Sequence, residues 1–415
     1  MRSRSVPCPT PITGGADLSP RVRALIDGVR DGFSLERPFY TDPELFALDL
    51  EKVWRRHWLY VCMGCQIANP GDYVTYQLGT DRIIVIRGDD GVVRAMANVC
   101  THRGSIICAE HAGNARALVC PYHAWVYGRD GELRAARMMP ADFDRAAYGL
   151  AKVRCEMIAG FVFVAFSDQA PDLATWRAEF EPHLAAYQTD RLKVAVSKTY
   201  DCASNWKLLA ENFRECYHCH SGHPEYIRAV IGSGMHEPRE KVDAEHQRAR
   251  AAWRAQGVGL DSVDYEDANG DWHYSARYPF APGFRTMSED GARVAPLLGR
   301  LPSEDVGIYS IVMYPNLWMD APPDHLMTMR VTPRAADRCE VRFDWFVHAD
   351  AREGVDYDPA KVAWFWTVTG EQDVRLCEDN QAGVASPRYR PGPYAPVEGG
   401  PRHVIRWYLR QLVKP

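Results

Sequence analysis

Residues 98–131 read NVCTHRGSIICAEHAGNARALVCPYHAWVYGRDG and carry Cys100, His102, Cys120 and His123 as C-x-H, seventeen intervening residues, then C-x-x-H. A zinc finger usually places two cysteines on one arm and two histidines on the other. Here each arm holds one of each. Two such arms facing each other bring two thiolates to one point and two imidazoles to another, which suits two adjacent irons. That is the arrangement of a [2Fe–2S] cluster with cysteines on one iron and histidines on the other, the imidazoles raising its potential above that of an all-thiolate cluster.

Around this stretch the chain alternates with a period of two. TYQLG, RIIVIRG, VVRAMAN, ALVCPY, WVYG and FVFVAF are short β-branched or aromatic runs separated by Gly-Asp, Asp-Asp-Gly and Asp-Gly. The pattern predicts a small antiparallel β domain ending near Ser167, with the ligand loops at hairpin tips. Upstream, residues 1 to about 36 read as a loosely held lead-in with one short helix carrying Val22, Leu25, Ile26 and Val29. Thr41-Asp42-Pro43-Glu44 then reads as a capping box opening a helix that buries Phe46, Leu50, Val53 and Trp54.

Composition bounds the function. The chain has 415 residues, 46% apolar and 25% charged, with a net charge of −5. That length accommodates two domains, and the acidic balance gives no nucleic-acid footprint. The first twenty residues hold no apolar run of signal-peptide length, and no segment approaches the ~20 apolar residues of a membrane span. A soluble cytoplasmic protein is expected. Twelve irregularly spaced cysteines predict reduced thiols plus a few metal ligands, with the Cys62/Cys65 CxxC incidental.

Beyond residue 168 helices and strands mix. WRAEFEPHLAAY reads as a helix, KVAVSKTYDC as a strand, and residues 236–256 as an exposed charged helix. GIYSIVMYP, HLMTMRVTP and CEVRFDWFVHA read as strands of one antiparallel sheet. Asp358-Pro359 opens a long helix to about Gly383, and RHVIRWYLRQL a terminal one.

A second constellation lies in NWKLLAENFRECYHCHSGHPEY, residues 205–226. On a helix Asn212, Glu215 and His218 would share one face. His223 precedes Pro224, where the helix should break and could turn His223 back beside His218. Two imidazoles suit iron, copper, nickel or zinc, and a carboxylate would complete the facial triad of non-haem Fe(II). Asp373 is the leading candidate, on a helical face with Trp366, Thr369, Leu376, Cys377 and Asn380, since an unpaired carboxylate there would cost several kcal/mol. Cys216, Cys219 and His220 remain alternative ligands near His218, as do Glu371 and Asp379 for the acid.

CTHRG and CPYHAWVYGRDG resemble the two cluster loops of Rieske proteins, with Ala124 where many members have Gly. NWK, ENF and His-x4-His with an acid three residues earlier resemble the catalytic domain of Rieske non-haem iron ring-hydroxylating oxygenases. The resemblance runs from about Phe39 to the C-terminus. It implies an α+β chain: a lead-in (1–38), a small antiparallel β Rieske domain (39–167), and a helix-grip catalytic domain with a central antiparallel sheet (168–415). It implies His218, His223 and Asp373 as mononuclear Fe(II) ligands, Glu215 as the acid bridging to the cluster, and Asn212 beside the iron. Most members carry Asp where Glu215 stands. Glu215, SLERPFYTDPELF, ENFRECYHC, HPEY, EQDVRLCEDNQAGV and RPGPYAP look like the branch of glycine betaine, stachydrine and carnitine oxygenases, nearest to glycine betaine monooxygenase and stachydrine demethylase.

The expected activity is therefore O2-dependent hydroxylation of an N-methyl group, followed by loss of formaldehyde. An arene hydroxylase and a Rieske electron carrier are the alternatives. No GxGxxG follows a strand and no C-x4-C-x2-C is present, so NAD(P)H electrons must come through a separate flavin- and ferredoxin-type reductase. The other expected partner is a small-molecule substrate, with no nucleic acid or membrane, and the expected assembly is a homotrimer. Phe213, Tyr217, Tyr314, Trp318, Trp345 and Phe346 are the aromatics that could reach a cationic substrate.

Overall fold

Short β-branched runs that alternate in burial pair through tight polar turns. In a computed structural model describing residues 18–233, 238–258 and 272–414, Asp81–Arg87 pairs antiparallel with both Asp72–Leu78 and Val93–Ala97. Gly91 at φ 78° closes the Asp-Asp-Gly turn in a conformation that a side chain would strain. Among the described residues the strands form three sheets. The first runs Leu59–Met63, Phe161–Ala165, Lys152–Ile158, Val93–Ala97, Asp81–Arg87, Asp72–Leu78, Ala112–Asn114. A small sheet of Leu118–Val119, Val126–Tyr127 and Leu133–Ala135 supports the second ligand loop. Strands Leu59–Met63 and Lys152–Ile158, absent from the sequence reading, complete the first sheet.

The six-stranded sheet of the second domain is antiparallel in the order Leu192–Cys202, Arg338–His348, Leu326–Ala335, Leu317–Ala321, Ile308–Met313, His273–Tyr278. Its inner strands Ile308–Met313 and Leu326–Ala335 are almost wholly buried, which fits their near-continuous apolar sequence, whereas the edge strand Leu192–Cys202 is mostly half-buried. The 27-residue helix Pro359–Ala385 starts at Asp358, whose carboxylate caps Ala360 N–H, and lies along the Leu192–Cys202 strand. Gly370 permits that approach, because a Cβ there would sit 2.9 Å from Phe343 Cζ. This is the expected α+β helix-grip architecture. Charged Arg239–Ala255 buries only Trp253, as a solvated helix should; the predicted start at 236 lies outside the described residues.

Three expectations change. The helix after Asp42 is capped by Asp42 itself, which accepts Glu44 N–H at 2.8 Å, while Glu44 turns to Ser19. After Leu48 it widens into a π-helical turn, Asp49–Trp54, which rotates the buried face onto Leu45, Asp49, Lys52, Val53 and Trp54 and leaves Phe46 and Leu50 half-buried. Asp49 is buried because Trp206 (2.9 Å), Tyr408 (2.7 Å) and Lys207 all donate to it, pinning this turn to the terminal helix Gly399–Val413. Finally, the described part of the lead-in is held near its end: Ser34 N–H reaches Gly392 O at 3.0 Å and Tyr394 N–H reaches Gly32 O at 2.8 Å.

Candidate metal centres

The two loops of the first centre are closed by their own backbones. Cys100 N–H donates to Ser105 O (2.8 Å) and Cys120 N–H to Trp125 O (2.9 Å). Both cysteines are buried. Burial alone would push the Cys120 thiol up, but the N–H groups of Tyr122 and His123 overcome it and hold the thiol below its ordinary range. Tyr127 O–H lies 3.1 Å from Cys100 Sγ and is placed to donate to a thiolate. The imidazoles of His102 and His123 are 4.6 Å apart between ring centroids, and His102 stacks on Trp125. Buried His102 Nδ1 has no hydrogen-bond partner. Two buried cysteines beside paired imidazoles, one with an orphaned nitrogen, fit a [2Fe–2S] cluster. Ala124 sits at φ 54°, which explains why glycine suits this position; its N–H bonds Cys120 O at 3.0 Å.

The second centre is assembled differently from the sequence expectation. Asn212, Glu215 and His218 do not share one helix: Trp206–Asn212 ends at Asn212, Glu215 lies in the following turn, and His218 caps the short helix Cys219–Gly222. His223 precedes Pro224 in a non-helical conformation (φ −134°, ψ 71°), so the chain does break there. The break brings His223 Nε2 within 3.1 Å of His218 Nε2. Asp373 Oδ1 closes the triangle at 2.9 Å from His223 Nε2 and 3.4 Å from His218 Nε2. Donors bound ~2.1 Å from one ion at right angles lie about 3 Å from each other, so the triangle has the dimensions of a metal site.

The opposite ring nitrogens are committed elsewhere. His218 Nδ1–H donates to Glu215 Oε1 at 2.5 Å and His223 Nδ1–H to Gln372 Oε1 at 2.8 Å, and Gln372 is held by Glu225 at 3.1 Å. These bonds fix both rings with Nε2 toward the centre. Burial opposes charging His218, yet Asp373 and Glu215 outweigh it and raise it to about 9. Burial also pushes Asp373 up, but the two histidines hold it below the usual carboxylate range. Two carboxylates facing two imidazoles that must shed protons to ligate match a divalent cation. Asn212 Nδ2 stands 3.4 Å from His218 Nε2.

Cys219 Sγ lies within 4.8 Å of the two histidine donors. It is bonded to Cys216, which removes both from the ligand candidates and corrects the expectation of reduced thiols outside the metal sites. His220 is exposed, as are Glu371 and Asp379. A cavity of about 300 Å³ opens on the triad, walled by Phe213, Tyr226, Tyr278, Trp318 and Trp366. Of the aromatics singled out in the sequence, Phe213 and Trp318 line it. Trp345 and Phe346 are core, Tyr217 is 57% exposed, and Tyr314 packs on Trp407. Gln372 was missed, and Trp366, though placed on the Asp373 face, was not read as part of a cavity wall. Their only sequence signal is adjacency to Asp373 and one face of its helix.

A cluster-binding β domain joined to a helix-grip domain with a two-histidine, one-carboxylate triangle defines an oxygenase component. Two family models match: the Rieske [2Fe-2S] domain over residues 57–154 and the ring hydroxylating alpha subunit (catalytic domain) over residues 189–414. The chain belongs to the family of Rieske-type ring-hydroxylating oxygenase alpha subunits. It is 39% identical to the glycine betaine monooxygenase oxygenase subunit of Chromohalobacter salexigens, over 90% of this chain and 85% of that protein. Identity to the Escherichia coli K12 carnitine monooxygenase oxygenase subunit is 27%, over 87% of each. The fold matches a quaternary ammonium Rieske monooxygenase structure with TM-score 0.69 at 22% identity, covering 92% of this chain and 97% of that one. As in its family, the chain works with a [2Fe–2S] cluster, a mononuclear iron and a separate reductase. No helix among the described residues is long and apolar enough to cross a membrane.

Proposed function

We propose that the chain hydroxylates an N-methyl group of a quaternary ammonium compound, glycine betaine or stachydrine being the leading candidates, and so N-demethylates it with release of formaldehyde. The observation that carries this is the aromatic cavity beside the triad. A quaternary ammonium has no N–H to donate, so a site must hold it by cation–π and apolar contact at ~0.5–2 kcal/mol per ring. Phe213, Tyr226, Tyr278, Trp318 and Trp366 supply that wall. The similarity to glycine betaine monooxygenase oxygenase subunits supports the same class.

In this reading Cys100, His102, Cys120 and His123 hold the cluster, and His218, His223 and Asp373 hold the iron. Together these groups supply one-electron activation of dioxygen. The side chains do the rest. Glu215 and Gln372 lock the histidine rings, Asn212 presents an amide beside His218, and the aromatic wall excludes water and aims a methyl group at the triad. We place the protein in the cytoplasm, as a homotrimer in which Glu215 accepts a hydrogen bond from the partner subunit's His123. Exposed Tyr122 beside His123 and exposed Tyr217 beside His218 leave both centres with an uncovered flank for such a contact.

The test combines purified protein, reductase and NADH with glycine betaine, stachydrine, carnitine and neutral arenes. Formaldehyde from a betaine is the expected result. Arene turnover without formaldehyde would instead support the arene hydroxylase reading, which the apolar wall also accommodates. Co-assembling a Cys100→Ser chain with a His218→Ala chain, each inactive alone, should restore activity if electrons pass between copies.

A further inference from the structure

A second, more polar cavity of about 410 Å³ also reaches Asn212, Glu215 and His218. Glu215 and His218 form its inner end, and exposed Leu376, Asn380 and Pro393 its rim. Glu211 lines it as well. This carboxylate sits on the helix that carries Asn212, and both of its oxygens are engaged: Tyr40 O–H donates to Oε1 at 2.8 Å and Tyr394 O–H to Oε2 at 2.6 Å. The two tyrosines come from opposite ends of the chain, and Tyr40 Oη in turn accepts Leu35 N–H at 3.1 Å. None of the ligand or substrate roles assigned above uses this group.

We infer that Glu211 is the proton-relay residue of this oxygenase, passing protons from solvent through the polar cavity toward Glu215 and His218. Hydroxylation needs such a path: R–H, O2, two electrons and two protons become R–OH and water. The electrons come from the reductase and the protons from solvent. Glu211 gives its proton to the cavity, becomes a carboxylate held by the two tyrosine hydroxyls, and is reprotonated from the rim.

The electrostatics agree with that geometry. Burial pushes Glu211 up to about 7, against the tyrosine donors and the Lys207 ammonium, which favour the charged form, and with Glu398, which disfavours it. A carboxyl poised near neutral pH suits proton transfer in both directions. The plain alternative is that Tyr40 and Tyr394 merely anchor the lead-in and the 389–398 loop.

The inference rests on the oxygenase activity alone, and its infrared arm needs no substrate, so an error in the proposed substrate would show separately as absent formaldehyde. Infrared difference spectra of the holoenzyme should show a carboxyl C=O stretch titrating near pH 7 that Glu211→Gln abolishes. Glu211→Gln should also lower kcat about 100-fold with KM and iron content retained, and flatten the inflection near pH 7 in the pH–rate profile. Tyr394→Phe removes a bond that favours the carboxylate, so it should move the infrared midpoint upward. That variant decides the matter if Glu211→Gln fails to fold or load iron. A band that persists in Glu211→Gln, wild-type turnover with an unchanged pH profile, or no midpoint shift in Tyr394→Phe would overturn the relay.

Discussion

The proposed cluster loops draw all four candidate donors from residues 100–123 and close themselves with backbone bonds inside each loop, such as Cys100 to Ser105 and Cys120 to Trp125. The triad instead joins a broken helical segment at 218–223 to Asp373, 150 residues beyond His223. One site is local; the other exists only when the long helix Pro359–Ala385 seats against the 205–226 segment. Mutations in the catalytic domain should therefore empty the second centre while leaving the first intact.

Asp373→Ala should break this contrast open most clearly. It removes the only donor that comes from the long helix, so mononuclear iron should fall to background and turnover with it, while the visible spectrum of the cluster is unchanged. Iron near two rather than three per chain is the expected count. Retained mononuclear iron would mean that Glu371 or Asp379, both exposed here, takes over.

Glu215→Gln comes next. The change is nearly isosteric, but it converts a charge-assisted bond to His218 Nδ1 at 2.5 Å into a neutral one. Both metals and the oligomer should survive, and turnover should drop about 100-fold, within the range of losing a ligand's orienting partner. Gln372→Ala removes the neutral partner of His223 and should cost less, about 10-fold in iron affinity measured against a competing chelator. Equal effects of the two substitutions would erase the distinction between a charged support of one histidine ring and a neutral support of the other.

This contrast also explains what the sequence could reveal. The candidate cluster residues could be singled out because spacing and residue order are local, and so could the strand runs that carry them. The long helix and the break at His223 were legible from Asp358-Pro359 and Pro224. What could not be read was where distant pieces meet. Asn212, Glu215 and His218 looked like one helical face, because i, i+3 spacing is all that sequence offers, yet the helix ends at Asn212. The cavity wall mixes Tyr226, Tyr278, Trp318 and Trp366 from two helices and two strands, and nothing local separates these rings from the core rings Trp345 and Phe346. The Cys216–Cys219 bond was likewise missed, because the reading expected reduced thiols and took both cysteines as alternative ligands.

Protonation should sharpen the comparison with the smallest effect. In the metal-free triad His218 is raised from 6.5 to about 9 by Asp373 and Glu215, against burial, and His223 is also raised. Asp373 is lowered from 3.8 by the same contacts, against burial. A raised histidine stabilises the fold fully below its unfolded pKa, and that contribution is lost as pH rises through the folded one; a lowered carboxylate contributes above its unfolded pKa. Protein stripped of its mononuclear iron should thus be most stable between about pH 4 and 6.5, and its urea midpoint should fall from pH 6.5 to 9. Iron competes with those same protons for Nε2, so loaded protein should lose little over that interval, and the stabilisation due to iron should grow with pH. Urea midpoints at pH 6.5 and 9, with and without the mononuclear iron and with the cluster spectrum as a control, measure this directly. Parallel pH slopes in the two forms would show that the histidines are not charged in the empty triad, and would remove the electrostatic half of the case for a divalent ion there.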